Sequence, residues 1–359
     1  MSGYLRPPPL ASSSRSSSSR SSSSRSSYSS FGTRTSGATT PSSIRSQSSN
    51  QSATSSASFS SAPPGVQGIP DRTNDITLLD KNYVAGGGFS YIYLGLLHRS
   101  NGSRVKVAIK VIRDTGLTQS PEFQMKLERR LERESKLWYS SFNHENIIRL
   151  YGLARDPALS SVVSGLVFPW CEHGTVLQYV NKYQKSLRVP LIRGVASGLH
   201  YIHAMDAVHG DIKSANVLMS NEGKPLLTDF GCSKVLGVDG YTTELKSSLM
   251  YLSPELMDIL GLEFVDSKGK KQKGTPTTKA SDVWAFGLVG AEILGGSEVF
   301  SSIRQLHLPS YVCNGGRPKK TDYPNLSREA DSIWPLLEIC WSAEPGDRLT
   351  MDEVIANLR

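Results

Sequence analysis

Residues 1–70 of this 359-residue chain contain no Asp, Glu, Lys or Cys. They carry six arginines (Arg6, Arg15, Arg20, Arg25, Arg34 and Arg45) among runs of serine. With so little apolar surface to bury, the segment cannot offset the entropy of ordering, and it reads as a disordered Ser/Arg-rich tail. All 32 acidic residues lie beyond it, so most of the formal charge of +8 belongs to the tail. The near-neutral body gives no reason to expect nucleic-acid binding. Cysteine is scarce: four residues (Cys171, Cys232, Cys313, Cys340) and no C-x-x-C pair. That excludes a secreted disulfide framework and points to a reducing compartment, cytoplasmic or nuclear. No apolar run approaches the roughly 18 residues of a membrane span. Ser2 stands where myristoylation needs glycine, so that anchor is not expected. Arg15, Arg20 and Arg25 recur every five residues, which leaves no basic helical stripe of the transit-peptide kind.

Beyond the tail the chain is patterned. Ala62-Pro63-Pro64-Gly65 to Pro70 reads as a linker, with ordered sequence from about Asp75. Tyr83 to Gly95 reads as strand, glycine turn (Gly86, Gly87, Gly88), strand; glycine lets backbone approach a phosphate closely. Arg104–Ile112 alternates as a strand, with Val105, Val107, Ile109 and Val111 on one face and Lys106, Ala108, Lys110 and Ile112 on the other. Ser120 and Pro121 cap a helix whose stripe is Phe123, Leu127, Leu131 and Trp138. Glu134 falls inside that stripe, where a carboxylate needs a partner; Glu128 and Glu132 point away. Leu166–Gly174 runs from an apolar strand into a turn, followed by a helix capped at Thr175. Leu191, Ile192, Val195, Ala196, Leu199 and Ile202 then form a core helix face. After it come Asp211, Lys213 and Asn216, with Asp229 eighteen residues beyond Asp211.

The stretch His209–Gly231 resembles the catalytic loop H-R-D-L-x-x-x-N and the D-F-G of protein kinases. Cys340-Trp341 with Pro345 and Arg348 matches a pattern shared by tyrosine kinases and the tyrosine-kinase-like (TKL) group of Ser/Thr kinases. The resemblance covers about Asp75 to Arg359. It implies an α+β, two-lobed fold: a small antiparallel lobe with one helix (75–168) and a larger helical lobe (173–359). It implies ATP and Mg2+, with Asp211 as the base for the acceptor hydroxyl and Asn216 and Asp229 as metal ligands. Lys110 would reach the phosphates, paired with Glu134, and Lys213 would offset charge on the transferring phosphoryl. Ala85, Gly86, Gly87, Gly88, Ser90 and Ile92 would line the nucleotide from above, with Ala85 and Ser90 replacing the family's outer glycines. Ala108 and Leu218 would enclose the adenine. Phe168 would limit the pocket behind it, and backbone groups of Pro169 and Cys171 would meet its edge.

The same resemblance implies that Asp282 holds the loop backbone, that Glu255 of Ser253-Pro254-Glu255 pairs with Arg348, and that Ser248 borders the acceptor site. Gly210 replaces the family arginine that pairs with activation-segment phosphate, which implies activity independent of such phosphorylation. Tyr241, Thr242 and Thr243 are candidate phosphosites, and Cys232 a candidate thiol or a quiet buried cysteine. The run Ser267–Gly274 reads as a solvated basic insert. The expected activity is γ-phosphoryl transfer from ATP to Ser/Thr hydroxyls of protein substrates. A pseudokinase is the alternative, and an RNA-associated protein carried by the tail is a third reading. The tail is also a candidate for regulatory protein partners and self-phosphorylation.

Overall fold

The computed structural model describes residues 68–86, 90–112, 142–155, 164–183, 187–229, 249–261 and 277–358, with single positions between 122 and 140. Six strands form one antiparallel sheet: β1 (Ile76–Leu78), β2 (Ala85–Gly86), β3 (Ser90–His98), β4 (Arg104–Ile112), β5 (Gly152–Ala154) and β6 (Gly165–Pro169). Their order is β1-β3-β4-β6-β5, with β2 also on β3. The β3–β4 hairpin closes at Gly102, whose φ of +78° favours a residue without a Cβ. Asn101 Oδ1 accepts from the Ser103 amide at 3.0 Å to complete that turn.

The expected alternation of β4 holds. Val107, Ile109 and Val111 are fully buried and pack with Tyr93, Leu97, Ala154 and Val167 into the sheet's own core. Glu122, Met125, Glu128, Leu131, Ser135, Lys136 and Trp138–Ser140 are helical. Leu131 and Trp138 are buried, as their stripe requires, and the Trp138 ring lies 4.9 Å from that of Phe168. Glu128 points elsewhere, to Arg155 and Ser164. The fold begins slightly earlier than the sequence suggests. Ile69 is buried, and the Leu153 amide donates to Pro70 O at 2.9 Å, so the last linker residues run beside β5.

Beyond the sheet the chain is mainly helical, which with the antiparallel sheet gives the expected α+β fold. After α1 (Val176–Lys182), α2 (Arg188–Ala204) buries its predicted face. Two short strands come next, β7 (Val217–Met219) and β8 (Pro225–Leu227), paired antiparallel. Then come α3 (Pro254–Gly261), α4 (Lys279–Gly295), α5 (Leu308–Cys313), α6 (Ala330–Cys340) and α7 (Met351–Asn357). Helix α4 is buried all round from Ser281 to Gly295, which fits its nearly unbroken apolar sequence. Around it the Arg317 and Arg348 guanidinium groups lie 4.6 and 5.2 Å from the Trp284 ring centre. Arg348 also grips Glu255 through two bonds of 2.8 and 2.7 Å, which ties the start of α3 to the end of the chain.

Candidate active site

The loop between α2 and β7 is held from beneath by α4. The Asp282 carboxylate accepts from the His209 and Gly210 amides at 2.8 Å each, and His203 Nε2 lies 3.0 Å from it. Gly210 has φ +79°, a conformation that side chains resist, so the loop can turn there without strain. His209 is almost wholly buried, with Nε2 3.0 Å from Thr228 O and Nδ1 accepting from the Asp211 amide at 3.3 Å. Burial lowers its pKa against the pull of Asp282, Asp211 and Asp229. It is therefore a neutral ring with the proton on Nε2, stitching the loop to the segment before Asp229.

On that base, the Ser214–Asn216 turn folds the loop back on itself. Asp211 Oδ2 meets Lys213 Nζ at 2.8 Å and accepts from Asn216 Nδ2 at 2.8 Å; the same nitrogen donates to Asp211 O at 2.8 Å. With its nitrogen so committed, the Asn216 amide oxygen is the end turned to other ligands. The Thr228 amide donates to Asn216 O at 3.0 Å and delivers Asp229 alongside. Asp229 has φ +68°, and its Oδ1 lies 2.7 Å from Lys110 Nζ. Burial would raise the Asp229 pKa, but Lys110, with help from Lys213, outweighs it and holds the group below the usual carboxylate range.

The sheet contributes the other wall. Register places Ala85 beside Ile92, Ile92 beside Lys110 and Lys110 beside Leu166. The next row sets Leu94, Ala108 and Phe168 side by side. Residues paired this way share a face, so Ala85, Ile92, Ala108, Lys110 and Phe168 lie on one side of the sheet. Pro169 ends β6, and Cys171 lies two residues on in the turn, its thiol pushed up to about 11 by burial and by Glu222. The Met219 amide donates to Gly174 O at 2.8 Å and Thr175 bridges Leu218, which brings Leu218 up against the same turn. Ser90 begins β3. Gly87, Gly88, Glu134, Ser248, Cys232 and the candidate phosphosites lie outside the described residues, and the expected Lys110–Glu134 pair lies outside them with Glu134.

The sequence reading did not anticipate one cluster beside the loop. Ser214 Oγ lies 3.1 Å from Tyr251 OH, which reaches the Glu292 carboxylate at 2.9 and 3.1 Å. The available signal was Glu292, a carboxylate within the apolar run of α4 that follows Asp282. Among the described residues no group of three or more His, Cys, Asp or Glu side chains forms a metal cluster, and no helix is long and apolar enough to cross a membrane.

Residues 81–358 match the family model described as protein kinase domain. A probable serine/threonine-protein kinase of Dictyostelium discoideum is 27% identical over 269 residues, covering 74% of this chain and 15% of that protein. A tyrosine-protein kinase of Caenorhabditis elegans is 25% identical over 273 residues, 74% of this chain and 20% of its own. Receptor-interacting serine/threonine-protein kinase 3 of Rattus norvegicus is 28% identical over 281 residues, 74% of this chain and 52% of its own. The chain thus spans only part of each relative, and relatives of both acceptor classes occur. With the family model covering most of the chain and the fold matching it, the chain belongs to the protein kinase domain family.

Proposed function

We propose that the chain is an ATP-dependent protein kinase that transfers the γ-phosphoryl group to Ser or Thr hydroxyls of protein substrates. The observation that carries this reading is the convergence of Asp211, Lys213 and Asn216 on one loop, with Asp229 and Lys110 joined at 2.7 Å beside it. The oxygen donors of Asn216 and Asp229 suit Mg2+, which takes few protein ligands and completes its shell with phosphate and water. Those two residues would hold the metal, which with ATP supplies charge neutralisation and the transferable phosphoryl group when bound. The protein's own work is then positioning. Asp211, its carboxylate aligned by Lys213 and Asn216, takes the proton of the acceptor hydroxyl. Lys110 turns from Asp229 to the phosphates, and Lys213 offsets charge as the phosphoryl group moves. Ala85, Ile92, Ala108, Phe168 and Leu218 supply apolar walls for a flat base, and the Pro169 carbonyl an acceptor at its edge. The outer segments fit the same reading: a tail over 1–70, a small lobe over 75–168 and a large lobe over 173–359.

Lys213 favours Ser/Thr acceptors and the TKL group, since the lysine at that place resembles Ser/Thr kinases. A pseudokinase is favoured only by Ala85, Ser90 and Gly210, each a departure from the family pattern. The test is phosphorylation of a generic protein substrate by the full chain with Mg2+ and ATP, beside Asp211→Asn, followed by phosphoamino-acid analysis. Phosphoserine and phosphothreonine, lost in the variant, are expected. Phosphotyrosine would sink the acceptor assignment. Mg2+-dependent ATP binding without turnover would favour the pseudokinase.

A further inference from the structure

The wall that carries Ala85 hangs on a short hairpin stem. Its first strand, β2, consists of Ala85 and Gly86 alone, paired with Ile92 and Tyr91 of β3. The Val84 amide adds one bond, donating to Ile92 O at 2.8 Å. So brief a pairing is marginal by itself, and it leaves Ala85 and Gly86 weakly held. A second contact closes the stem. Tyr83 precedes β2 by two residues, Tyr91 is the second residue of β3, and their rings are stacked with centroids 4.3 Å apart and planes 23° from parallel. Tyr91 pairs with Val111, which puts it on the sheet face opposite Ile92 and Lys110, partly buried against the sheet's own core. Tyr83 reaches it from outside and stays half exposed. Gly86 lies beneath the pair: a Cβ there would stand 3.1 Å from Tyr91 Cδ1 and 3.5 Å from Tyr83 Cε2. The bare residue lets the two rings close over the strand.

We propose that Tyr83 and Tyr91 are positioning residues whose stack clasps the stem of the glycine turn and holds Ala85 and Gly86 in place for the nucleotide. The clasp acts from the opposite face of the sheet, through β2. A strand fixed before the nucleotide arrives costs less to order on binding, so the clasp strengthens binding and leaves the chemical step alone. It serves a stem in which Ala85 and Ser90 stand where the family pattern has glycines. The inference rests on the kinase reading for the identity of the nucleotide, and on the rings alone for the clasp.

The experiment uses the full chain with Tyr83→Ala, Tyr83→Leu and Tyr83→Phe. It reads kcat and the KM for Mg-ATP on a generic protein substrate, the equilibrium Kd for Mg-ATP, and hydrogen exchange of the Val84 amide. Tyr83→Ala is expected to raise both KM and Kd for Mg-ATP about threefold to tenfold, what the loss of one aromatic pair corresponds to, with kcat unchanged. Tyr83→Leu, apolar but unable to stack, should match it, and Tyr83→Phe, which stacks without the hydroxyl, should match wild type. An unchanged KM in Tyr83→Ala, an equal rise in Tyr83→Phe, or a fall in kcat at constant KM would overturn the proposal. If wild type binds Mg-ATP without turnover, the same shifts in Kd uphold it and an unchanged Kd overturns it. If wild type binds no Mg-ATP, the kinase reading fails and hydrogen exchange decides alone. Faster Val84 exchange in Tyr83→Ala but not in Tyr83→Phe then upholds the clasp, and unchanged exchange overturns it.

Discussion

Replacing Glu292 by glutamine should stabilise the protein at pH 8 and leave it unchanged at pH 4. Glu292 is fully buried in α4, and burial pushes its pKa from 4.5 up to about 7. Bonds from Val299 and Tyr251 pull it down, while the nearby Glu298 charge pushes it further up. The folded state thus holds a proton that the unfolded chain has released between these two values, so stability falls as pH rises through that window. At about 1.36 kcal/mol per pKa unit, the full effect is about 3 kcal/mol above pH 7. Glutamine abolishes the titration and keeps the shape. Its carbonyl oxygen can accept from Val299 and Tyr251, and its amide can donate to the tyrosine oxygen. The assay is thermal or urea unfolding of both proteins at pH 4, 5, 6, 7 and 8. Coincident curves at pH 4 should diverge with pH, Glu292→Gln melting several degrees higher at pH 8. A variant less stable than wild type at pH 8 would refute the reasoning, because the buried charge would then be a net stabiliser.

Lys110→Met should cut turnover by roughly 10²–10³, the usual cost of removing one preorganised charge partner, with an unchanged far-ultraviolet circular dichroism spectrum. Steady-state kinetics on purified variant and wild type checks it. Ile109→Ala should destabilise the protein by about 2–5 kcal/mol, since Ile109 is fully buried between sheet neighbours; denaturant unfolding reads that loss. Arg348→Ala strands the partly buried Glu255 carboxylate and should cost about 3 kcal/mol by the same measurement. Native alkylation at pH 7.5 should modify the exposed Cys313 well before Cys171 or Cys340, whose thiols burial pushes up to about 11 and about 12. Peptide mass spectrometry gives the order.

The parts legible in the sequence were those whose physics is local or periodic. Burial in β4 alternates with a period of two, so the face carrying Lys110 could be read from the valines and isoleucine opposite. The Thr175 cap was legible because its bonds close within three residues. Glu255–Arg348 and Asp282 beneath the loop came from the resemblance, not from any pattern, since 93 and 72–73 residues separate the partners. The Ser214–Tyr251–Glu292 contact had neither support. Its members come from a loop, a turn and a helix, with 37 and 41 residues between partners. Lys110 illustrates the same limit from the other side: its strand face could be read, but its 2.7 Å contact with Asp229 depends on how far the loop reaches.

Helix α4 sets a length scale. Asp282 and Glu292 are ten residues apart, which is about 15 Å of α-helix. One carries the backbone just before the proposed base, and the other carries the tyrosine that closes the turn before α3. Their separation is fixed by helical rise, not by loop conformation, so the helix works as a ruler between the two. Substitutions that conserve volume along it leave that ruler intact. A single inserted residue would lengthen it by about 1.5 Å and swing Glu292 by about 100°, away from Tyr251. The number of residues in this span is therefore under tighter physical constraint than their identity.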